Sequence, residues 1–172
     1  MSVLLRSAEE SDLAAVGGLH QRSRTSAYAH ILSPEALAGG KAQPLGEWWA
    51  ERWKWERDTH RMTVAEEDGE IAGFTYVGPN GEPGTGELYA IHVDPAHVGT
   101  GIGKKLMLHA ECQLREIAGT RAVLWVLEEN TRARHFYERG GWRPDGTTRV
   151  EQVSGERVPQ LRYGKTLVGG SA

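Results

Sequence analysis

Ile91-His92-Val93-Asp94-Pro95, followed three residues later by Gly99-Thr100-Gly101-Ile102-Gly103-Lys104, is the stretch that decides the fold. It predicts a strand that stops at Pro95, a turn, and a glycine-rich loop that opens a helix. Without Cβ atoms, Gly99, Gly101 and Gly103 let backbone N–H groups converge on one anion. The helix behind them adds the positive end of its dipole and its own unpaired N–H groups. The segment therefore predicts a cradle for a phosphorylated ligand, foremost a pyrophosphate.

Two common phosphate loops fail by spacing. The dinucleotide pattern G-x-G-x-x-G would need glycine at Lys104 or, one step on, at Leu106. The Walker pattern needs glycine at Val98 and Ser or Thr at Lys105. A flexible turn with no ligand stays open on this segment alone.

A second segment narrows the reading. Arg121-Ala122-Val123-Leu124-Trp125-Val126-Leu127 is apolar and β-prone, which predicts a buried strand. Asn130-Thr131-Arg132-Ala133-Arg134-His135-Phe136-Tyr137-Glu138-Arg139-Gly140-Gly141-Trp142 follows. Asn130 suits a helix N-cap, and Gly140 or Gly141 a stop. Ala133, Phe136 and Tyr137 share one face of that helix and the arginines the other.

With both segments in hand, the chain resembles the GNAT superfamily of acyl-CoA-dependent N-acetyltransferases. The matching pieces are Val93-Asp94-Pro95, Gly99-x-Gly101-x-Gly103 and Asn130-x-x-Ala133-x-x-Phe136-Tyr137 with a following Gly-Trp, in family order and separation. The resemblance spans residues 60 to 168. It implies an α/β fold with a mixed, mostly antiparallel sheet, a splayed central strand pair and flanking helices. It implies acetyl-CoA as co-substrate and direct attack by a primary amine, of a small molecule or a protein, through a tetrahedral intermediate. A homodimer is compatible with it. One position departs from the family pattern: Val98 stands where Arg or Gln is usual before the first glycine, so backbone amides must carry more of the grip. A CoA-binding regulatory module without catalysis is the alternative of a different class, and a nucleotide-binding α/β protein a third.

The resemblance also assigns residues. The backbone of Ile91, His92 and Val93 pairs with the pantetheine amides as an added strand would. Val98, Gly99, Thr100, Gly101, Ile102, Gly103 and Lys104 hold the pyrophosphate. Asn130 bonds the pantetheine arm, caps its helix, or does both. Phe136 lies beside the cofactor arm. Tyr137 is the candidate general acid, because a phenol keeps its proton at neutral pH and can give it to a stronger base; the other reading is a core tyrosine bonded to backbone. Glu87, four residues before Ile91, is the candidate general base, acting through water or with a raised pKa; the other reading is a strand-edge glutamate. His92 alternates with Ile91 and Val93 and so points to the opposite sheet face, as a core or rim residue.

The remaining residues set bounds. The chain of 172 residues is long enough for one domain with a proper core, expected over 1–168, with 169–172 a frayed tail. A net charge of −3 gives no reason to expect nucleic acid. Cys112 is the only cysteine, so no internal disulfide forms. It reads as a small core residue of a helix. No run is apolar enough for a membrane span, the first ten residues lack a signal-peptide pattern, and a soluble cytoplasmic protein is expected. No His, Cys, Asp or Glu grouping has metal-ligand spacing, so no metal is expected.

Around the motifs, Val3–Arg6 predicts a first strand. Ser7-x-x-Glu10 predicts a capping box opening a helix to Tyr28, and Ser33-Pro34-Glu35 a short second helix. Residues 39–46 read as loop and Trp48–Arg57 as helix. That helix carries Trp48, Trp49, Trp53 and Trp55 in one stripe, for packing on the sheet or as an aromatic wall for an amine. Met62–Ala65 and Glu70–Val77 predict a hairpin around Asp68-Gly69. Residues 78–84 read as loop, Glu87–Val93 as strand, and Gly101–Ala118 as helix with Ile102, Leu106, Ala110, Leu114 and Ile117 inward. Strands near Thr147–Val153 and Val158–Leu167 end the pattern.

Overall fold

Seven strands make one sheet in the order β1-β2-β3-β4-β5-β7-β6. They are β1 (Leu4–Ser7), β2 (Arg61–Glu67), β3 (Glu70–Pro79), β4 (Thr85–Val93), β5 (Arg121–Leu127), β6 (Arg143–Val153) and β7 (Glu156–Thr166). The helices are α1 (Leu13–Ala27), α2 (Pro34–Leu37), α3 (Leu45–Glu56), α4 (Ile102–Ile117) and α5 (Thr131–Arg139). This is a computed structural model, and it describes residues 2–38, 43–153 and 155–167. The expected tail lies outside the described residues, as do residues 39–42 of the expected loop.

All neighbouring strands run antiparallel except β4 and β5, which are parallel and pair only over Thr85–Glu87 and Arg121–Val123. Beyond Glu87 the two strands diverge, which is the splayed pair that the resemblance implies. The β2–β3 turn has positive φ at both Asp68 (52°) and Gly69 (79°), as the sequence predicts for a type I′ hairpin.

A β-bulge breaks the simple alternation of β4. The register runs Tyr76↔Ala90 and then Val77↔Leu88, which leaves Tyr89 as the extra residue. Leu88 and Ile91 therefore pack into the same core, with Leu114, Leu124, Trp142 and Tyr163 on the α4–α5 side. Ala90 and Tyr89 join the other core, with Leu19, Trp49, Phe74 and Tyr76 on the α1–α3 side.

The α1–α3 crossing rests on two glycines. A Cβ on Gly17 would lie 2.2 Å from the Gly46 nitrogen, so only glycine lets the helices approach this closely. That packing offsets the roughly 1 kcal/mol that a mid-helix glycine costs relative to alanine.

Several expectations are corrected. Ser7 does not cap a helix: it ends β1 opposite Thr63. The cap lies two residues later, where the Asp12 carboxylate accepts the Glu9 N–H at 2.7 Å. Arg6 holds Asp12 in place at 2.8 and 3.0 Å, and a short 3-10 turn (Glu10–Asp12) precedes α1. Cys112 is exposed, not buried, with an Arg115 guanidinium nitrogen 3.1 Å from its sulfur. α3 begins at Leu45, and β6 at Arg143, earlier than their apolar patterns suggest. β6 is an exposed edge strand, so periodic burial does not mark its start.

Candidate functional site

The fork between β4 and β5 opens onto a cavity of about 680 Å³. Residues from Leu88 to Val93 line one side, Leu124–Leu127 the other, and the glycine loop and α5 close the end. Past Glu87, β4 pairs among the described residues only with β3, which leaves its second edge open to an extended ligand.

The loop carries the clearest geometry. Gly99 (φ 86°) and Gly101 (φ 91°) adopt left-handed backbone, and a Cβ at either would meet nothing within 4 Å. They are glycine for conformation, not for lack of space. Gly103 lies in the first turn of α4, where a Cβ would find only ordinary contacts with Phe136 and Val93. No side chain caps α4. The N–H groups of Val98, Gly99, Gly101, Ile102, Gly103 and Lys104 donate to no described residue. Unpaired amides in a row at a helix N-terminus form a ready anion site. Thr100 is the exception: its N–H and its hydroxyl both turn back onto the His97 carbonyl. The Ile102 side chain is fully buried and faces the core, so only its backbone can serve.

Asn130 is buried and caps α5, its Oδ1 accepting the Ala133 N–H at 3.3 Å, and it also lines the cavity. Phe136 and Tyr137 reach the cavity from α5. Tyr137 is buried, and its hydroxyl makes no hydrogen bond to a described residue. Burial and the nearby Tyr28 push its pKa well above the usual phenol value.

Glu87 occupies the root of the fork, opposite Val123 at the last paired position. It is half-buried but does not line the main cavity. Burial raises its pKa above the usual carboxylate value, while Arg149, Arg52, Arg162 and Asn80 pull it back. Because of the Tyr89 bulge, Glu87 faces the α3 side and not the Ile91 side.

His92 does point away from Ile91 and Val93. Its Nδ1 lies 2.9 Å from the Ser23 hydroxyl, and its ring 4.3 Å from that of His20. His20 Nδ1 in turn accepts the Trp49 indole N–H at 3.0 Å, which places the His20 proton on Nε2. Burial lowers His20 to about 4 and His92 well below its usual value. Both rings are neutral at pH 7.

The tryptophan stripe divides. Trp49 is 1% exposed and belongs to the core, whereas Trp48 (39%) and Trp55 (73%) are exposed. The cation–π role falls to the protein's own Arg52, whose guanidinium lies 4.7 Å from the Tyr89 centroid and 4.8 Å from that of Tyr76. Sequence reading missed Ser23, Trp125, Gln160, Arg132 and Arg139 as cavity residues. The α5 arginines were visible as a charged face. Their closeness to the glycine loop was not.

Comparison with known proteins agrees with this architecture. The family model described as the acetyltransferase (GNAT) family matches residues 25–142. This chain belongs to that family. It is 28% identical to a Mycobacterium tuberculosis protein named as a probable N-acetyltransferase, over 94% of this chain and 92% of that one. It is 35% identical to the mycothiol acetyltransferase of Streptomyces griseus over 68% of this chain, but spans only 36% of that longer protein. The crystal structure of the PaiA N-acetyltransferase of Thermoplasma acidophilum in complex with coenzyme A superposes with a TM-score of 0.81. It is 20% identical and covers 96% of this chain and 99% of that one, a likeness of fold.

Proposed function

We propose that this protein transfers the acetyl group of acetyl-CoA to a primary amine by direct attack in a ternary complex. The carrying observation is the row of unpaired amides from Val98 to Lys104, which ends at the mouth of the β4–β5 fork. A diphosphate suits those amides, and a pantetheine arm suits the free edge of Ile91, His92 and Val93. Acetyl-CoA would supply an activated thioester. Asn130 and Phe136 would flank the arm, and Lys104, Arg132 and Arg139 would add positive charge at the rim.

The proton chemistry follows from the two titratable residues. Glu87 would take the proton of the attacking amine through water, since it stands back from the main cavity. Tyr137 holds its proton more tightly than a free phenol. A thiol with an ordinary pKa near 8.5 is the stronger acid. Tyr137 therefore acts as a hydrogen-bond donor to the departing sulfur, without needing to give up the proton. The single exposed Cys112 stands outside the cavity lining and takes no part.

The test is thiol release from acetyl-CoA with a panel of amines, on wild type and Tyr137→Phe. The proposal expects kcat to fall roughly a hundredfold in the variant, as for loss of one transition-state donor. The CoA dissociation constant should stay unchanged. Equal rates in the two proteins would remove Tyr137 from the chemistry.

A further inference from the structure

Glu87 sits opposite Val123, two residues before Trp125 on β5, so it shares a sheet face with Trp125 and its neighbours. Three guanidinium groups from distant parts of the chain act on it through space: Arg149 of β6, Arg52 of α3 and Arg162 of β7. Two are already consumed. Arg52 is bound to Glu56 at 2.5 Å and enclosed by aromatic rings. Arg162 is held by Asp145 at 2.7 Å and Glu82 at 3.3 Å.

Arg149 differs. Cross-strand pairing puts Trp125 opposite Arg162, Leu127 opposite Gln160, and Gln160 opposite Arg149, so these side chains share one sheet face. The Arg149 guanidinium lies 4.1 Å from the centroid of the Trp125 ring, and its Nε donates to Gln160 Oε1 at 2.5 Å. Stacking and hydrogen bond fix the planar fork over residues that line the cavity, since Trp125 and Gln160 are both in its wall. Among the described residues its only carboxylate partner is Glu151 at 3.1 Å, in a pair whose side chains are each 45% exposed. Such exposed pairs contribute at most about 1 kcal/mol, so the outer nitrogens are readily given to a ligand. A stacked, oriented guanidinium recognises a carboxylate through two parallel hydrogen bonds.

Resting on the acetyltransferase reading, we propose that the acceptor is a small amino acid-like molecule, its amine at Glu87 and its carboxylate on the Arg149 guanidinium. One carboxylate and one available guanidinium on the same face match the two ends of a zwitterion. Arg149 is then the residue that sets acceptor specificity, and the edge strand β6, whose exposed positions do little for the core, exists in part to carry it.

The experiment compares common L-amino acids with their carboxamides and with carboxylate-free amines, by thiol release from acetyl-CoA, in wild type, Arg149→Gln and Arg149→Lys. CoA affinity by calorimetry reports whether the donor site is intact. The proposal expects kcat/KM for the preferred amino acid to exceed that of its amide roughly tenfold or more. The ratio should fall toward one in Arg149→Gln, be partly kept in Arg149→Lys, and change without change in CoA affinity. Equal use of acid and amide by wild type, or carboxylate-free amines as the only substrates, would overturn it. So would an equal loss for acid and amide in Arg149→Gln, because Arg149 would then serve Glu87 or the fold alone. Thiol release with none of the amines would remove the acetyltransferase reading itself, and this inference with it.

Discussion

The half of the molecule built from β4, the glycine loop, α4 and α5 presents backbone groups to the cavity. The half built from α1, α2, α3 and the β6–β7 hairpin presents side chains, and the proposed acceptor site is made of them. In the first, a row of N–H groups donates to no described residue and two glycines hold left-handed φ. In the second, two of the three guanidinium groups that act on Glu87 are already matched: Arg52 by Glu56, and Arg162 by Asp145 and Glu82. Backbone recognition is set by a few neighbouring residues and by the helix dipole, which suits an invariant diphosphate. Side-chain recognition is assembled from five separate elements, so one substitution can retune it.

The largest expected effect lies in the backbone half. Gly101→Glu forces a side chain onto φ 91° and puts a negative charge at the end of the cradle. Strain of 1–2 kcal/mol plus repulsion should weaken CoA binding roughly a hundredfold. A Cβ there meets no neighbour, so the melting temperature should fall only by the few degrees that the backbone strain accounts for. Calorimetry and thermal melts on one sample check both halves of the statement. Intact CoA binding would erase the distinction between the two regions.

Gly17→Ala probes the other half. Its Cβ would be driven into the Gly46 backbone at 2.2 Å. Overpacking of this kind costs roughly 1–3 kcal/mol, several degrees in melting temperature for a domain of this size. CoA affinity of the folded protein should be preserved. A parallel loss of CoA binding would mean that the halves are coupled through α1.

A smaller effect comes from acid. His20 and His92 are neutral when folded, with His20 lowered to about 4 from 6.5 and His92 also lowered well below its usual value by burial. The unfolded chain binds protons below pH 6.5 while the folded chain does not, so stability falls as pH drops from 6.5 toward 4. The slope is at most about 1.4 kcal/mol per pH unit for each histidine. Glu87, raised by burial, acts in the opposite sense over the upper carboxylate range. Melting curves of wild type and His20→Gln between pH 7 and 5 should converge toward the acid end. Parallel curves would show that His20 titrates normally.

Local signals made the backbone half legible before any coordinates. Glycines at alternate positions, Asn130 as a cap and the Asp68-Gly69 turn each act over a few residues, and the folded chain keeps them. The side-chain half resisted because its determinants are long-range. The Tyr89 bulge is invisible to a count of two, yet it moves Glu87 to the α3 side. Ser7 looked like a cap, but strand pairing with Thr63 claims it and Arg6 recruits Asp12 instead. Arg52, Arg149 and Arg162 are separated by up to 110 positions, from residue 52 to residue 162, and only the folded chain brings their charges to bear on one carboxylate. Cys112 was misread because α4 turns it outward, where an Arg115 guanidinium nitrogen lies 3.1 Å from its exposed sulfur.

Amide chemical shifts during a titration with coenzyme A test the central claim most directly. The account predicts large downfield proton shifts at Val98, Gly99, Gly101, Ile102, Gly103 and Lys104, whose N–H groups donate to no described residue, and a small shift at Thr100, whose N–H is already bonded to His97. Undisturbed amides across that loop, with saturable shifts elsewhere in the molecule, would contradict it.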